Sequence, residues 1–318
     1  MPAISLVVCL FKECDLLERL LKHADGCYDD LVVVHDGPEF DEDAPQPVAA
    51  PPLEMAIDYA ECPSNTSPLY FYKTPPLSIH SRGTQELVLR HGGRYFEGIR
   101  CYQQEPHWPF AWWQAKHNWI LRLDADEYPS TELKRWLQNF RSSAEPPGDV
   151  SGYTCIWPLW DGKRAVIGKW PDGRNFLFHR WRIRFTGVVE MVPQPESQLE
   201  PLPFALQHVP RRKSFGYRNL LLRKQAYRWR HIVAASLLRS PKLLPRWRWQ
   251  TDTWPAPFNQ IVERPYRYLF KCLFRYPFSA LRLLLEHRLY GVLYSFPGSH
   301  LHHALICWKY ICLRRKRN

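Results

Sequence analysis

Residues 119–127 read Trp-Ile-Leu-Arg-Leu-Asp-Ala-Asp-Glu. Trp119 to Leu123 have the length and character of a short buried strand. The strand ends in Asp124 and Asp126, one residue apart, and Pro129-Ser130-Thr131 then opens a helix. Leu133, Trp136, Leu137 and Phe140 recur at i, i+3, i+4 and i+7, so that helix is predicted to be amphipathic. Glu127 reads first as a partner of its first turn and second as a residue of the site. A DxD triplet alone is also what a polar turn looks like. Its place at a strand end gives it chemical meaning, because open parallel sheets bind ligands beyond the carboxyl ends of their strands.

Working outward, Ile4 to Leu10 is apolar and β-branched, as a buried parallel strand is. A helix is predicted next, capped by Asp15 with Glu18 at capping-box spacing, and burying Leu16, Leu17, Leu20, Leu21 and Ala24. Leu31 to Val34 reads as a second strand, stopped by Asp36-Gly37-Pro38. Strand, helix and strand make a βαβ unit, which predicts a parallel sheet with a right-handed crossover. Asp36 also follows a strand and is expected in the same crevice as Asp124 and Asp126. Three converging carboxylates repel one another unless a cation sits between them. Mg²⁺ or Mn²⁺ held by one or two carboxylates and a diphosphate meets that need.

Composition bounds the classes. The chain has 318 residues, 45% hydrophobic and 14% aromatic, enough for a large core and too much for a disordered chain. Mean hydropathy is −0.41, and no run of ~18 uncharged apolar residues predicts a spanning helix. The opening MPAISLVVCLFKECD reads as a first core strand and not as a signal peptide. Nine cysteines without a CxxC pair argue against a disulfide scaffold or a zinc ribbon. Leu53 to Gln114 shows little periodicity, and Gly152 to Pro193 reads as β-rich. Trp108, Trp112 and Trp113 read first as core and second as a sugar-stacking platform. His300, His302 and His303 have no carboxylate or cysteine at ligand spacing.

Charge is unevenly spread. From His208 to Asn318 there are 23 Lys and Arg against three acids, a net of +20, while Met1 to Gln207 nets −8. The tail region reads as helical, with Tyr266, Leu269, Phe270, Leu273 and Phe274 in an apolar stripe beside Arg267, Lys271 and Arg275. Three readings stand: a solvated basic face, a peripheral foot on an anionic membrane surface, and a nucleic-acid site. No recognisable nucleic-acid motif supports the third.

In the first two strands, SLVVCLFKE and DLVVVHDGP, and above all in WILRLDADE, the chain resembles the family 2 glycosyltransferases of GT-A fold. In finer detail it is similar to the bacterial branch that builds lipopolysaccharide core and other envelope glycans. The residues that carry this are Gly187-Val188-Val189-Glu190, His208, Lys224, Tyr227, and Arg264-Pro265 through Gly291 and Gly298. The resemblance implies an α/β fold with a mostly parallel nucleotide-binding sheet flanked by helices, in residues 1–205, and a basic helical appendage in 206–318. It implies an inverting, metal-dependent transfer from a nucleotide sugar, with a UDP-sugar favoured, to a cell-envelope glycan or lipid-linked acceptor. The cofactor is a divalent cation, Mn²⁺ or Mg²⁺. The site of action is cytoplasmic, peripheral at the inner face of the membrane.

Position by position, the resemblance puts Glu13 and Asp36 on the base and ribose. Asp124 goes near the ribose or metal, Asp126 on the metal, and His208 at the metal or diphosphate. Glu190 is the candidate general base, against the plainer reading of a surface acid beside a strand. The chain departs from the pattern at Lys12 (usually Asn), His35 (often Asp), Pro38 (usually Ser) and Val189 (His in the branch). Two rivals follow. A nucleotidyltransferase needs a Gly-rich basic loop after the first strand, which LFKECD lacks. A catalytically degraded GT-A-like protein would bind anionic membrane or nucleic acid through its tail.

Overall fold

A computed structural model of the chain describes residues 1–36, 79–97, 104–160, 165–167, 173–185, 192–210, 224–238, 254–294 and 297–317. The strands, in chain order, are β1 Ile4–Leu10, β2 Asp30–His35, β3 Arg94–Glu97, β4 Trp119–Arg122, β5 Glu127–Pro129, β6 Val150–Ile156, β7 Leu159–Trp160, β8 Ala165–Ile167, β9 Arg174–His179, β10 Ile183–Arg184, β11 Gln194–Pro195 and β12 Gln198–His208. The helices are α1 Cys14–His23, α2 Ile79–Arg90, α3 Trp108–Gln114, α4 Thr131–Ser142, α5 Lys224–Ser236, α6 Phe258–Glu263, α7 Pro265–Tyr294 and α8 Pro297–Arg317.

One sheet of eight strands runs in the order β3-β2-β1-β4-β9-β6-β12-β5. Neighbours are parallel except at β4–β9, β9–β6 and β12–β5. Six strands therefore point one way, and β9 and β5 run against them. This is the expected α/β class, with a mostly parallel sheet flanked by helices and a helical C-terminal region.

Strand period two sorts the core. Ile4, Leu6, Val8, Leu10, Leu31, Val33 and Leu121 point to one face, where α1, α2 and α4 bury Leu17, Val88 and Leu137. Val7, Cys9, Val32, Val34 and Ile120 point to the other, against Trp108 and Trp112 of α3. Trp108 and Trp112 are thus core residues rather than a sugar platform, while Trp113 is exposed. A third cluster, from Ile232 to Ile311, joins α5, α6, α7 and α8.

The boundaries differ from expectation in three places. β2 extends one residue further at each end, and β4 stops at Arg122 instead of Leu123. The cap of α1 is Glu13, not Asp15, and Glu13 makes no side-chain capping bond. The cause lies one residue earlier, where Lys12 has φ +53. That left-handed residue turns the chain sharply out of β1 and starts the helix early. Asn is enriched in this region of backbone space, which gives a physical reason for the Asn that the resemblance implies at this position. The start of α4 is as expected: the Ser130 hydroxyl accepts a bond from the Leu133 amide at 3.2 Å.

Gly152 in β6 lets β9 come close. A Cβ there would lie 2.5 Å from the Leu177 carbonyl oxygen and 2.9 Å from the Phe178 Cα. Both neighbours are backbone, so neither can rotate away. Gly152→Ala is expected to destabilise the chain by about 1–3 kcal/mol, read as a lowered chemical-denaturation midpoint at unchanged slope. An unchanged midpoint would remove this reading of the β6–β9 contact.

Candidate active site at the strand ends

The carboxyl ends of β1, β2 and β4 carry the acids singled out by sequence. Two buried groups report how closely these acids gather. The Cys9 thiol in β1 is pushed well up, first by burial and then by Asp124, Asp36 and Glu105. The Tyr128 phenol is pushed up to about 12, first by burial and then by Asp126 and Glu13, against the Arg19 guanidinium lying 4.6 Å over its ring. Asp36 and Asp124 thus act on the same buried thiol, and Glu13 and Asp126 on the same phenol. The Asp36 amide donates to the Leu10 carbonyl at 2.8 Å, and Asp36 Oδ1 lies 2.8 Å from His107 Nε2 with both side chains buried. A carboxylate only accepts, so the Nε2 proton faces Asp36.

Arg174 organises the DxD turn. Leu121 of β4 faces Leu177 of β9. Extending that antiparallel register by three residues brings Arg174 opposite Asp124. Its Nη2 donates to Asp124 Oδ2 at 2.8 Å and to Glu127 Oε2 at 3.2 Å, and its Nε lies 3.1 Å from Glu127 Oε1. Glu127 is fully buried and also accepts from the Asp124 amide and Trp157 Nε1, both at 2.9 Å. It thus turns into the site instead of toward the first turn of α4. Burial pushes the Glu127 carboxyl up, against Arg174 and the Asp124 amide, which favour its charged form. Burial likewise works to lower Arg174, but Glu127 and Asp124 outweigh it and hold the guanidinium proton more tightly. Each hydrogen bond to Glu127 comes from a donor, and one of these donors is the Arg174 guanidinium, so the ionic pair is the form this geometry is built for.

The far wall comes from β12. His208 stands opposite Glu127 in the β12–β5 ladder, and the Val209 amide donates to the Asp126 carbonyl at 2.9 Å. His208 Nε2 is 3.5 Å from Asp126 Oδ2, and its ring stacks on Trp157 at 4.4 Å. Trp157 in turn lies under the Arg174 guanidinium at 5.5 Å. Asp124, Arg174, Glu127, Trp157, His208 and Asp126 thus form one chain of contacts around the turn.

Asp124 Oδ1 is buried and makes no hydrogen bond. Among the described residues no three His, Cys, Asp or Glu side chains group as a metal site. A divalent ion of the Mg²⁺ type does not require three, since it takes one or two carboxylates and completes its shell with phosphate oxygens and water. The bare Asp124 Oδ1 and the Asp126 carboxylate fit that role, with His208 beside them.

Five sequence-selected residues therefore stand at or just beyond the carboxyl ends of parallel strands: Glu13 after β1, Asp36 after β2, Asp124 and Asp126 after β4, and His208 at the end of β12. The sixth, Glu190, lies outside the described residues, as do Val188 and Val189. Sequence reasoning missed Arg174, Trp157 and His107, and it ranked the site second for Glu127. One signal was present in Arg122, a cation inside an apolar strand. Arg122 is buried over the Trp108 ring at 4.2 Å and donates to the Asn175 carbonyl at 3.0 Å. Burial, then the nearby Arg174, brings it down to about 10.

No protein-family model matches the chain, and no curated protein matches its sequence. Solved structures do. One is a mannosyltransferase from Pyrobaculum calidifontis in complex with GDP-Man and Mn²⁺, at 12% identity over 98% of this chain and 87% of that one, with a TM-score of 0.44. A mycobacterial protein is similar at 13% identity over 74% of each chain, with a TM-score of 0.38. TarS 1-349 of S. aureus is similar at 11% identity over 99% of this chain and 92% of that one, with a TM-score of 0.30.

Proposed function

We propose that the chain is a metal-dependent, inverting glycosyltransferase. It moves a sugar from a nucleotide sugar, with a UDP-sugar favoured, to a hydroxyl of an envelope glycan or lipid-linked acceptor. The observation that carries this reading is the Asp124-Ala125-Asp126 turn. It stands at the end of β4, beside the ends of β1 and β2, with Asp124 Oδ1 bare and Asp126 next to His208.

Each residue takes a role from its place. Glu13 and Asp36, at the ends of β1 and β2, accept hydrogen bonds from the base and ribose. Asp124 and Asp126 hold the divalent cation. When bound, that cation offsets the charge that builds on the leaving diphosphate. Arg174 and Glu127 keep the DxD turn in one conformation, so that little is left to reorganise when the donor arrives. The acceptor oxygen forms a bond to the anomeric carbon from the face opposite the diphosphate. The anomeric C–O bond breaks with its electron pair leaving on the phosphate oxygen, and the acceptor proton passes to a carboxylate. Glu190 is assigned that base role from its sequence position.

A second reading has one observation in its favour: Arg174 already neutralises Asp124, as it would in a site that no longer holds metal. Calorimetric titration of UDP, GDP, ADP and CMP, each with and without Mn²⁺, separates the two. Mn²⁺-dependent binding of one nucleotide is the expected result and names the donor class. No binding by any of the four would leave the degraded, non-catalytic reading.

A further inference from the structure

Helix α7 is two-sided in an unusual sense. Tyr268 and Cys272 are buried in the C-terminal core at 5% and 2% exposure, and Leu283 further along is buried at 3%. On the opposite side Tyr266, Phe270, Phe274, Phe278, Leu281 and Leu285 are between 56% and 76% exposed. On a wheel of 3.6 residues per turn these six fall within roughly one third of the circumference. Phe270, Phe274 and Phe278 line up, with successive ring centroids 6.4 and 5.2 Å apart. Soluble surfaces rarely leave so many large apolar side chains together in water.

The patch has a cationic border. Lys271, Arg275 and Arg282 follow one another along one flank of the stripe, with Arg267 at its edge. At the N-terminal end of α7 the border comes from a different helix. Arg315 of α8 donates to the Tyr266 hydroxyl at 3.1 Å, which sets Arg315 beside the start of the stripe, with Arg314 and Lys316 exposed next to it in sequence. Along α7 from Tyr266 to Leu285 the sequence contains four cations and no acid.

We propose that this face of α7 is a membrane-docking surface that lies flat on anionic lipid. Its phenyl and leucyl side chains enter the acyl boundary, and the arginines and lysines along the rim meet acidic headgroups. No helix among the described residues is long and apolar enough to cross a bilayer, so the mode is lying on and not spanning. Charge decides against a second copy of the chain as occupant. A two-fold pairing of this face would bring the rim cations of both copies together. The proposal stands apart from the transfer reading and does not depend on it.

The test is flotation of the full chain with phosphatidylcholine vesicles, with and without phosphatidylserine, at low and physiological salt. Two variants accompany it: Phe270→Ser/Phe274→Ser, and Arg314→Gln/Arg315→Gln/Lys316→Gln. All five positions are on the surface, and a matching thermal transition checks that the fold is kept. Binding to phosphatidylserine vesicles is expected to weaken with salt and by at least roughly tenfold in each variant. Failure to float with phosphatidylserine at low salt would overturn the proposal. So would a dimer of the wild type that the phenylalanine variant dissociates, or binding to single-stranded nucleic acid that the same variant abolishes.

Discussion

Asp126→Ala is expected to lose at least about 100-fold in Mn²⁺-dependent nucleotide affinity while keeping its fold. The size follows from the role. Changing groups that only support metal ligands costs about 10–100-fold in metal affinity, and a direct ligand should cost no less. At about 1.4 kcal/mol per tenfold, the loss is roughly 3 kcal/mol or more of binding free energy. The fold should survive because Asp126 is tied to β12 through its main-chain carbonyl, which accepts from the Val209 amide at 2.9 Å. Its side chain is 17% exposed and meets His208 only at 3.5 Å. Calorimetry with and without Mn²⁺ reads the first effect and thermal melting the second. A variant that binds as the wild type does would remove Asp126 from the metal site, whatever the fate of the transfer reading.

Arg174→Met tests the support of the site. It removes the guanidinium that pairs with the buried Glu127 carboxylate, and it frees Asp124 Oδ2. Removing one partner of a buried ion pair costs about 3–5 kcal/mol, which lowers the Tm by on the order of 10 °C in a chain of this size. Adding Glu127→Gln should recover much of that loss, because an amide needs no counter-charge, although it keeps only part of the original bonding. Thermal melts of the two single variants and the double variant close the cycle. Losses that simply add would mean that Arg174 and Glu127 do not act as a pair.

How far the sequence could be read divides along contact distance. β1, β2 and β4 were legible because buried parallel strands are near-continuous apolar runs, and α4 because Ser130 and four periodic apolar residues mark it. Glu13, Asp36, Asp124 and Asp126 were legible because the end of a strand is visible in one dimension. The cap of α1 was misplaced because the left-handed turn at Lys12 leaves no trace in apolar periodicity. Arg174 and Trp157 were missed for a different reason. Their role depends on which strand lies next to β4, and β9 follows it by some fifty residues with β5, β6, β7 and β8 between. Local pattern carries no information about that adjacency. His107 pairs with an Asp36 that lies 71 positions earlier, and the same limit applies.

The β5–β12 ladder has a consequence for how the protein comes into being. The DxD turn is written at residues 124–126, yet its outer edge is fastened by 208 and 209, more than eighty residues downstream. Between them the chain must lay down β6, β9 and β12 in an order that interleaves them in space. Contacts of such long separation form late, after the local helix and strand pairs have already reduced the loop to be closed. A growing chain that has just released Asp126 from the ribosome therefore holds the right residues without a site. On the proposed reading, nucleotide binding should appear only once β12 is docked, which makes it a clock for completion of the sheet.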